Sequence, residues 1–293
     1  MVTNTASKDI NIDSYKNSFL TSILRLDCNK SYKLSNKEML SLASIIEIID
    51  TNTLTIAKNK IYNCYKSNDI EGYIYAQVID KITLHKSNKQ VYGSQVNNKN
   101  WTYKSLYTIS NNTNIDQKRS ELGLVSLSIV NKIINLENKD QQLRKAYISE
   151  KNKYKRKNIS LKMNFTGVES EEFILKITKE YGLLTPSMLG FDAYNSYFTL
   201  IQHLSKKSFL ILHPYILDAY KSDKISPNHY ALYIDRYNVY NGFKQKFGTQ
   251  YNSRGDLLPV ENKAILPILR KKMHLYPFDI TGKSYNKLYK EKI

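Results

Sequence analysis

At 293 residues the chain is long enough for two domains of ordinary size, each able to bury a core. Lys and Arg total 44 against 26 Asp and Glu, a formal charge of +18, so a partner drawn by the overall field is anionic: nucleic acid, nucleotide or an acidic protein surface. Only seven of the 44 are Arg, and the surplus of Lys, Asn, Ile and Tyr that an AT-rich genome supplies accounts for the charge equally well; ten Gly and six Pro exclude collagen-like, Gly/Ser-linker and Pro-rich classes and lean towards helix.

Residues 1–14 read as a tail without the basic and apolar regions of a secretory signal, so the cytoplasm is the expected compartment. Cys28 and Cys64 lack CxxC spacing, which argues for neither zinc nor haem attachment and predicts two buried free thiols. The apolar run 42–49 is broken by Glu47, and no run approaches the roughly 18 residues of a membrane span, so no membrane partner is expected. Residues 90–96 and 101–109 read as a short hairpin around Asn97–Asn100, followed by a closing helix over 116–122. Further on, Phe173, Ile174, Ile177 and Tyr181 predict a helix over 171–181 that stops at Gly182. An apolar helix through Phe198, Leu200, Ile201 and His203 follows the bend at Pro186, and another covers 209–221. Ser226-Pro227 opens a helix to Tyr240, stopped by Gly242; a second hairpin (244–251 with 257–260) and a closing helix (265–273) complete the series.

The same elements occur twice because the sequence repeats. Residues 61–96 align without a gap on residues 216–251 at a constant offset of 155, and thirteen of the 36 positions are identical, among them Asp80 with Asp235, Gln90 with Gln245, Gly93 with Gly248 and Gln95 with Gln250. Two units this large suit a tandem duplication better than a solenoid. The expected architecture is mainly α, two tandem helical domains each with a small antiparallel β-hairpin. A degenerate first copy covers 15–137, a fuller second copy 138–280, and a basic tail 281–293 that includes Lys283, Lys287, Lys290 and Lys292.

The second half resembles the bacterial domain-of-unknown-function family 6624. The resemblance rests on Asp140-Gln-Gln-Leu-Arg-Lys, Tyr181-Gly182 with Pro186, Ile201-Gln202-His203, Asp235-Arg236 and Phe247-Gly-Thr-Gln250, in that order. The first half is similar to the family's C-terminal two-thirds through Asp80-Lys81, Tyr92-Gly-Ser-Gln95 and residues 116–124. The resemblance brings no established activity. It also marks departures: where the family's His is followed by Ala-Asp, His203 is followed by Leu204-Ser205, and the offset places Ile48 opposite His203 and Lys81 opposite Arg236.

Two sets of residues could carry function. In the first, Gln202, His203, Asp235, Arg236, Gln245 and Gln250 share a polar cleft for a small or anionic ligand. There His203 would move protons, Asp235 would orient it, Arg236 would hold a negative group and the Gln amides would fix orientation. That set serves a binding protein or, alternatively, a hydrolase- or transferase-type enzyme, and it requires no cofactor. Against it stand a core histidine and an Asp that ties a helix to the hairpin backbone, as a buried carboxylate must be hydrogen-bonded. One His and one Asp lack the ligands of a zinc site, so no metal is expected. The second set is Lys151, Lys153, Lys155, Arg156 and Lys157 with Tyr147 and Tyr154. It could bind nucleic acid, or be a solvated helix end whose cations suit a C-terminal dipole.

Overall fold

The computed structural model describes residues 33–97, 103–110, 113–252 and 255–275, together with 17, 21, 23 and 28. The N-terminal tail, the tips of both expected hairpins and the C-terminal lysines at 283, 287, 290 and 292 lie outside the described residues. Two compact units result: Met1–Lys99 with Ser105–Asn131 and Ser187–Ala193, and Asn100–Lys104 with Lys132–Pro186 and Tyr194–Ile293.

In the first unit, helix α1 (Asn36–Ile48) begins at a capping box, in which Ser35 Oγ accepts from the Glu38 amide and the Glu38 carboxylate accepts from the Ser35 amide. Asp50 caps α2 (Thr51–Lys66), which buries Leu54, Ala57, Ile61 and Cys64 at helical spacing. Helix α3 (Gly72–Ser87) runs through the middle of this core, with Tyr73, Ile74, Ala76, Val78 and Asp80 all buried. Gly72 permits this packing, since a Cβ there would stand 2.5 Å from the Leu122 carbonyl oxygen. Strands β1 (Val96–Asn97) and β2 (Ser105–Leu106) pair antiparallel, and α4 (Ile115–Glu121) closes the unit.

Helices α5 (Leu127–Ser149) and α6 (Lys153–Tyr181) follow, then α7 (Pro186–Leu189) and α8 (Phe191–Gln202). The second unit continues with α9 (Lys206–Ile211), α10 (His213–Lys221), α11 (Pro227–Tyr240) and α12 (Leu266–Lys272). Its core includes Ile174, Ile177, Tyr197, Ile201, Phe209, Ile216, Tyr233 and Phe247. The ring of Phe209 stacks on Tyr233 at 4.2 Å, and the Tyr233 hydroxyl donates to the Phe209 carbonyl.

The mainly helical class stands, with twelve helices among the described residues, but four expectations need correction. The described residues contain one two-stranded sheet, in the first unit; at the equivalent place in the second a single antiparallel bridge joins Tyr251 to Leu257. The expected helix over 209–221 is two helices, because Pro214 supplies no amide hydrogen and its ring excludes the carbonyl four residues earlier. The helix expected over 171–181 begins at Lys153, its N-terminal half carrying almost no buried face to announce it. Cys28 and Cys64 are not free thiols: their Cα atoms lie 4.6 Å apart and the sulfurs are bonded, a pairing that a separation of 36 residues does not signal.

What orders both units is one buried carboxylate in each. Asp80 accepts from the amides of Val91 (2.6 Å), Tyr92 (2.8 Å) and Ser94 (2.7 Å) and from Ser94 Oγ (2.8 Å). Asp235 accepts from the amides of Lys246 (2.7 Å), Phe247 (2.9 Å) and Thr249 (2.9 Å) and from Thr249 Oγ1 (3.0 Å), the same four donors 155 residues on. From the other side of each loop an arginine donates to two carbonyls, Arg119 to Tyr92 and Gly93, Arg270 to Phe247 and Gly248. A glutamine brackets the loop, Gln90 Nε2 donating to Gln95 and Tyr107 carbonyls and Gln245 Nε2 to those of Gln250 and Leu258. Beyond the loop tips the offset falls from 155 to 151, so the second ribbon is four residues shorter while its bonds are the same.

Burial, the largest influence on both aspartates, pushes their carboxyls above the ordinary value, and the amide bonds oppose it. Removing either carboxylate strands four donors. We expect Asp80→Ala and Asp235→Ala each to cost about 3 kcal/mol or more, and Thr249→Ala, which removes one neutral donor to Asp235 and one of the two acceptors of Gln250 Nε2, about 1 kcal/mol. Urea unfolding measures both; a loss below that of Thr249→Ala for either aspartate would show that the carboxylate does not anchor the loop.

Candidate functional site

Three helices of the second unit bring polar side chains together. On α5, Asp140 and Arg144 stand four residues apart and therefore on one face, and Arg144 Nε donates to both Asp140 oxygens at 2.9 Å. Gln141 Nε2 adds a third donor at 3.0 Å. Helix α8 ends at Gln202, and the turn that follows, with the His203 amide donating to the Leu200 carbonyl, turns the imidazole to the same carboxylate: His203 Nδ1 lies 2.7 Å from Asp140 Oδ2. Helix α11 supplies Arg236 and, one turn later, Tyr240, whose hydroxyl donates to the Leu204 carbonyl and whose ring meets Phe209 edge-on.

Asp140 is buried, with 9 % of its side chain exposed, whereas 21 % of the His203 side chain reaches solvent. Burial alone would raise the Asp140 carboxyl, but the bonds from His203 and Arg144 outweigh it and hold the group below its ordinary value. An ionised carboxylate at Nδ1 places the neutral ring's proton there and leaves Nε2 as the basic nitrogen.

The carboxylate that His203 meets is thus Asp140, not the expected Asp235, whose two oxygens are taken up by the loop amides. Gln245 and Gln250 are likewise occupied within the loop frame, Gln250 Nε2 donating to the Leu232 carbonyl and to Thr249 Oγ1. Two members of the expected cleft remain differently placed. Both amide atoms of Gln202 are buried without a hydrogen-bond partner. Arg236 is half-buried, and its Nε is buried without a hydrogen bond. Burial, first of all, lowers its tendency to hold a proton; Tyr240, which shares a side-chain hydrogen bond with the guanidinium, opposes that effect and Arg144, a second cation, adds to it, with no carboxylate among these groups.

The position 155 residues earlier is solved in the opposite way. Lys81, also disfavoured as a cation by burial, donates to the Ile46 (2.7 Å) and Glu47 (2.6 Å) carbonyls and has Glu47, Asp192 and Asp50 as anionic neighbours. Glu47 stands where the second unit has Gln202, and Ile48, more than half exposed, stands where it has His203.

The basic cluster Lys151, Lys153, Lys155, Arg156 and Lys157 is exposed; Lys151 lies in the link before the Asn152 cap and the other four at the start of α6, rather than at a helix end. The C-terminal dipole that would suit those cations is therefore not theirs. Arg156 stacks over the Tyr147 ring, 4.3 Å from its centroid.

Among the described residues no group of three or more His, Cys, Asp and Glu is arranged to hold a metal ion, and no helix is long and apolar enough to cross a membrane. Residues 128–289, a stretch that takes in Asp140, Arg144, Gln202, His203 and Arg236, match a family described as a family of unknown function, DUF6624. The chain belongs to this family. No curated protein and no solved structure matches it.

The roles of Asp140, Arg144 and Tyr240 were not drawn from the sequence, although Asp140 and Arg144 lie in a segment that carries the resemblance to DUF6624 and have the spacing of a helical ion pair. One measurement checks the dyad. Because the Asp140 carboxyl is held below its ordinary value of 3.8, its contribution to stability is complete above that value and is lost as pH falls through the lower folded-state value. Urea midpoints across the acid range should therefore drop less steeply in Asp140→Asn than in the parent; equal slopes would mean that Asp140 is not an ionised partner of His203.

Proposed function

We propose that the second unit binds a small anionic ligand, a phosphate or carboxylate group, between Arg236 and Arg144, with His203 and Gln202 completing its contacts. The observation that carries this reading is the half-buried Arg236, whose Nε makes no hydrogen bond and whose charged neighbour is another arginine. Desolvating a guanidinium without a carboxylate costs several kcal/mol, and an anion entering beside Arg236 recovers it through charge-assisted bonds, while Arg144, whose Nε is held by Asp140, adds its positive charge. Guanidinium, with its planar fork, suits an oxyanion better than an ammonium does. Gln202 supports the same reading, since its two buried amide atoms offer a donor and an acceptor to one guest.

A second reading is favoured by the 2.7 Å contact between His203 and Asp140. A histidine held by a carboxylate at Nδ1 is a general acid/base, and a hydrolase or transferase would use Nε2 next to the bound anion. Binding comes first in either case.

The first unit we read as a degenerate copy of the second. Support comes from the four donors to Asp80 and Asp235, the arginine and glutamine bonds that recur with them, and the substitution of Ile48 and Lys81 for His203 and Arg236. Its lysine is neutralised internally, so we assign it no anion. The Cys28–Cys64 bond favours an oxidising compartment over the cytoplasm.

Thermal and urea unfolding with inorganic phosphate, nucleotides and small carboxylates test the proposal. A true ligand at a hundred times its Kd should add about 2.7 kcal/mol. Arg236→Met should abolish that gain and, by removing a desolvated charge, raise the stability of the ligand-free protein by about 1 kcal/mol or more. Lys81→Met should leave the gain intact. If Arg236→Met destabilises the ligand-free protein and every anion effect survives in it, the site is not there.

A further inference from the structure

We propose that the outward face of α6 docks on an anionic phospholipid surface. The amphipathic pattern in the N-terminal half of α6 is inverted. Thr166 and Ser170 are buried, while Tyr154, Leu161, Phe165 and Val168 are 81 %, 49 %, 76 % and 56 % exposed. Those four apolar residues are spaced by seven, four and three, which at roughly 100° per residue places them within an arc of about 60°. Helix α5 packs against the flank of α6 that runs from Glu169, roughly 40° beyond Phe165 on the wheel, round to Arg156: Tyr147 stacks under Arg156, and Lys132 and Lys139 pair with Glu169. Arg156 follows Tyr154 by two residues and so points roughly 200° away from the stripe.

Lysines flank the stripe on both sides. On the same wheel Lys153 and Lys157 lie along one edge and Lys155 and Lys162 along the other. Residues 145–165 contain seven cations (Lys145, Lys151, Lys153, Lys155, Arg156, Lys157 and Lys162) and one anion, Glu150, a net charge of 7 − 1 = +6. Within them the chain fully buries no residue, so the end of the α5–α6 helical hairpin contributes nothing to the core. Apolar side chains at the centre with lysines whose stems reach outward from both edges are the pattern of a helix lying in the plane of an anionic lipid interface.

Other occupants fit less well. A second copy would bring the same six net positive charges against its own. A helical protein partner requires an apolar seam at both heptad positions over three or four heptads, and here Lys157 and Asn158 interrupt the seam and Glu172 ends it. A nucleic acid would use the lysines and Tyr154 but gives Leu161, Phe165 and Val168 nothing apolar to enter. The expectation of no membrane partner rested on the lack of a spanning segment, which surface docking does not require.

Co-sedimentation of the full chain with vesicles tests the proposal, comparing phosphatidylcholine alone with phosphatidylcholine containing phosphatidylglycerol. We expect binding to the mixed vesicles and little to the neutral ones. Leu161→Ser with Phe165→Ser should weaken it at least about tenfold. Changing Lys153, Lys155 and Lys157 to Ser should weaken it by about fivefold per lysine, and added salt should act in the same direction. All of these residues are exposed, and an unchanged melting curve for each variant secures the comparison. Any one of four results would overturn the proposal: no preference for anionic vesicles, binding untouched by the Leu161/Phe165 change, retention of an oligonucleotide with vesicles ignored, or a parent dimer that the Leu161/Phe165 change converts to monomer. The anion site of the second unit is independent of this outcome, since none of its residues is altered.

Discussion

A carboxylate buried on a helix with four donors from one loop is the constraint on which both units depend. Neither aspartate could be tolerated in an apolar core without those donors, and neither loop could be held in its conformation without the carboxylate. The arginine on the closing helix completes the arrangement by taking the loop's carbonyls, so that the loop lies between a negative group at its amides and a positive group at its carbonyls. Burial lowers the proton affinity of Arg119 to about 10, and the nearby Asp80 counters that effect. In each unit a helix, a loop and a closing helix are tied by charge-assisted bonds rather than by apolar area alone.

This frame has a consequence for the residue beside each aspartate. With Asp80 or Asp235 locked onto the loop, the next side chain on the helix is turned by roughly 100° to a fixed direction. In the first unit that side chain is Lys81, received by the carbonyl end of α1 and by three carboxylates. In the second it is Arg236, which meets Tyr240 and Arg144. The two environments differ in sign: at the 155-residue offset Glu47 and Ile48 face Gln202 and His203 in sequence, and Lys81 has anionic neighbours where Arg236 has a phenol and a second cation. Arg144 is already committed to Asp140, which His203 shares, so the carboxylate nearest to hand is saturated.

Much of the frame was legible in the sequence. The identities Asp80/Asp235, Gln90/Gln245, Gly93/Gly248 and Gln95/Gln250 are the residues that make or shape the loop bonds, and an Asp retained where the His is absent points to the structural role it has. Helix starts were readable where a chemical signal marks them, as at Ser226-Pro227, and a break was missed where the signal, Pro214, stood inside an apolar run. The partner of His203 was not legible. It comes from α5, 63 residues earlier, and only tertiary packing brings Asp140 to the imidazole, whereas Asp235 looked the nearer choice because its own loop was still unplaced. The disulfide was hidden for the same reason, and the N-terminal half of α6 because its apolar residues face outward.

Arg236, whose Nε is buried without a hydrogen bond, is the group at which an anion is expected. Anomalous scattering from crystals of the full chain, grown without polyvalent anions and then soaked in tungstate, addresses this directly. A peak within hydrogen-bond distance of Arg236 Nε and of the Arg144 guanidinium, with none beside Lys81, is the predicted result. A guanidinium of Arg236 found paired with a carboxylate of the protein, or equal peaks beside Arg236 and Lys81, would contradict it.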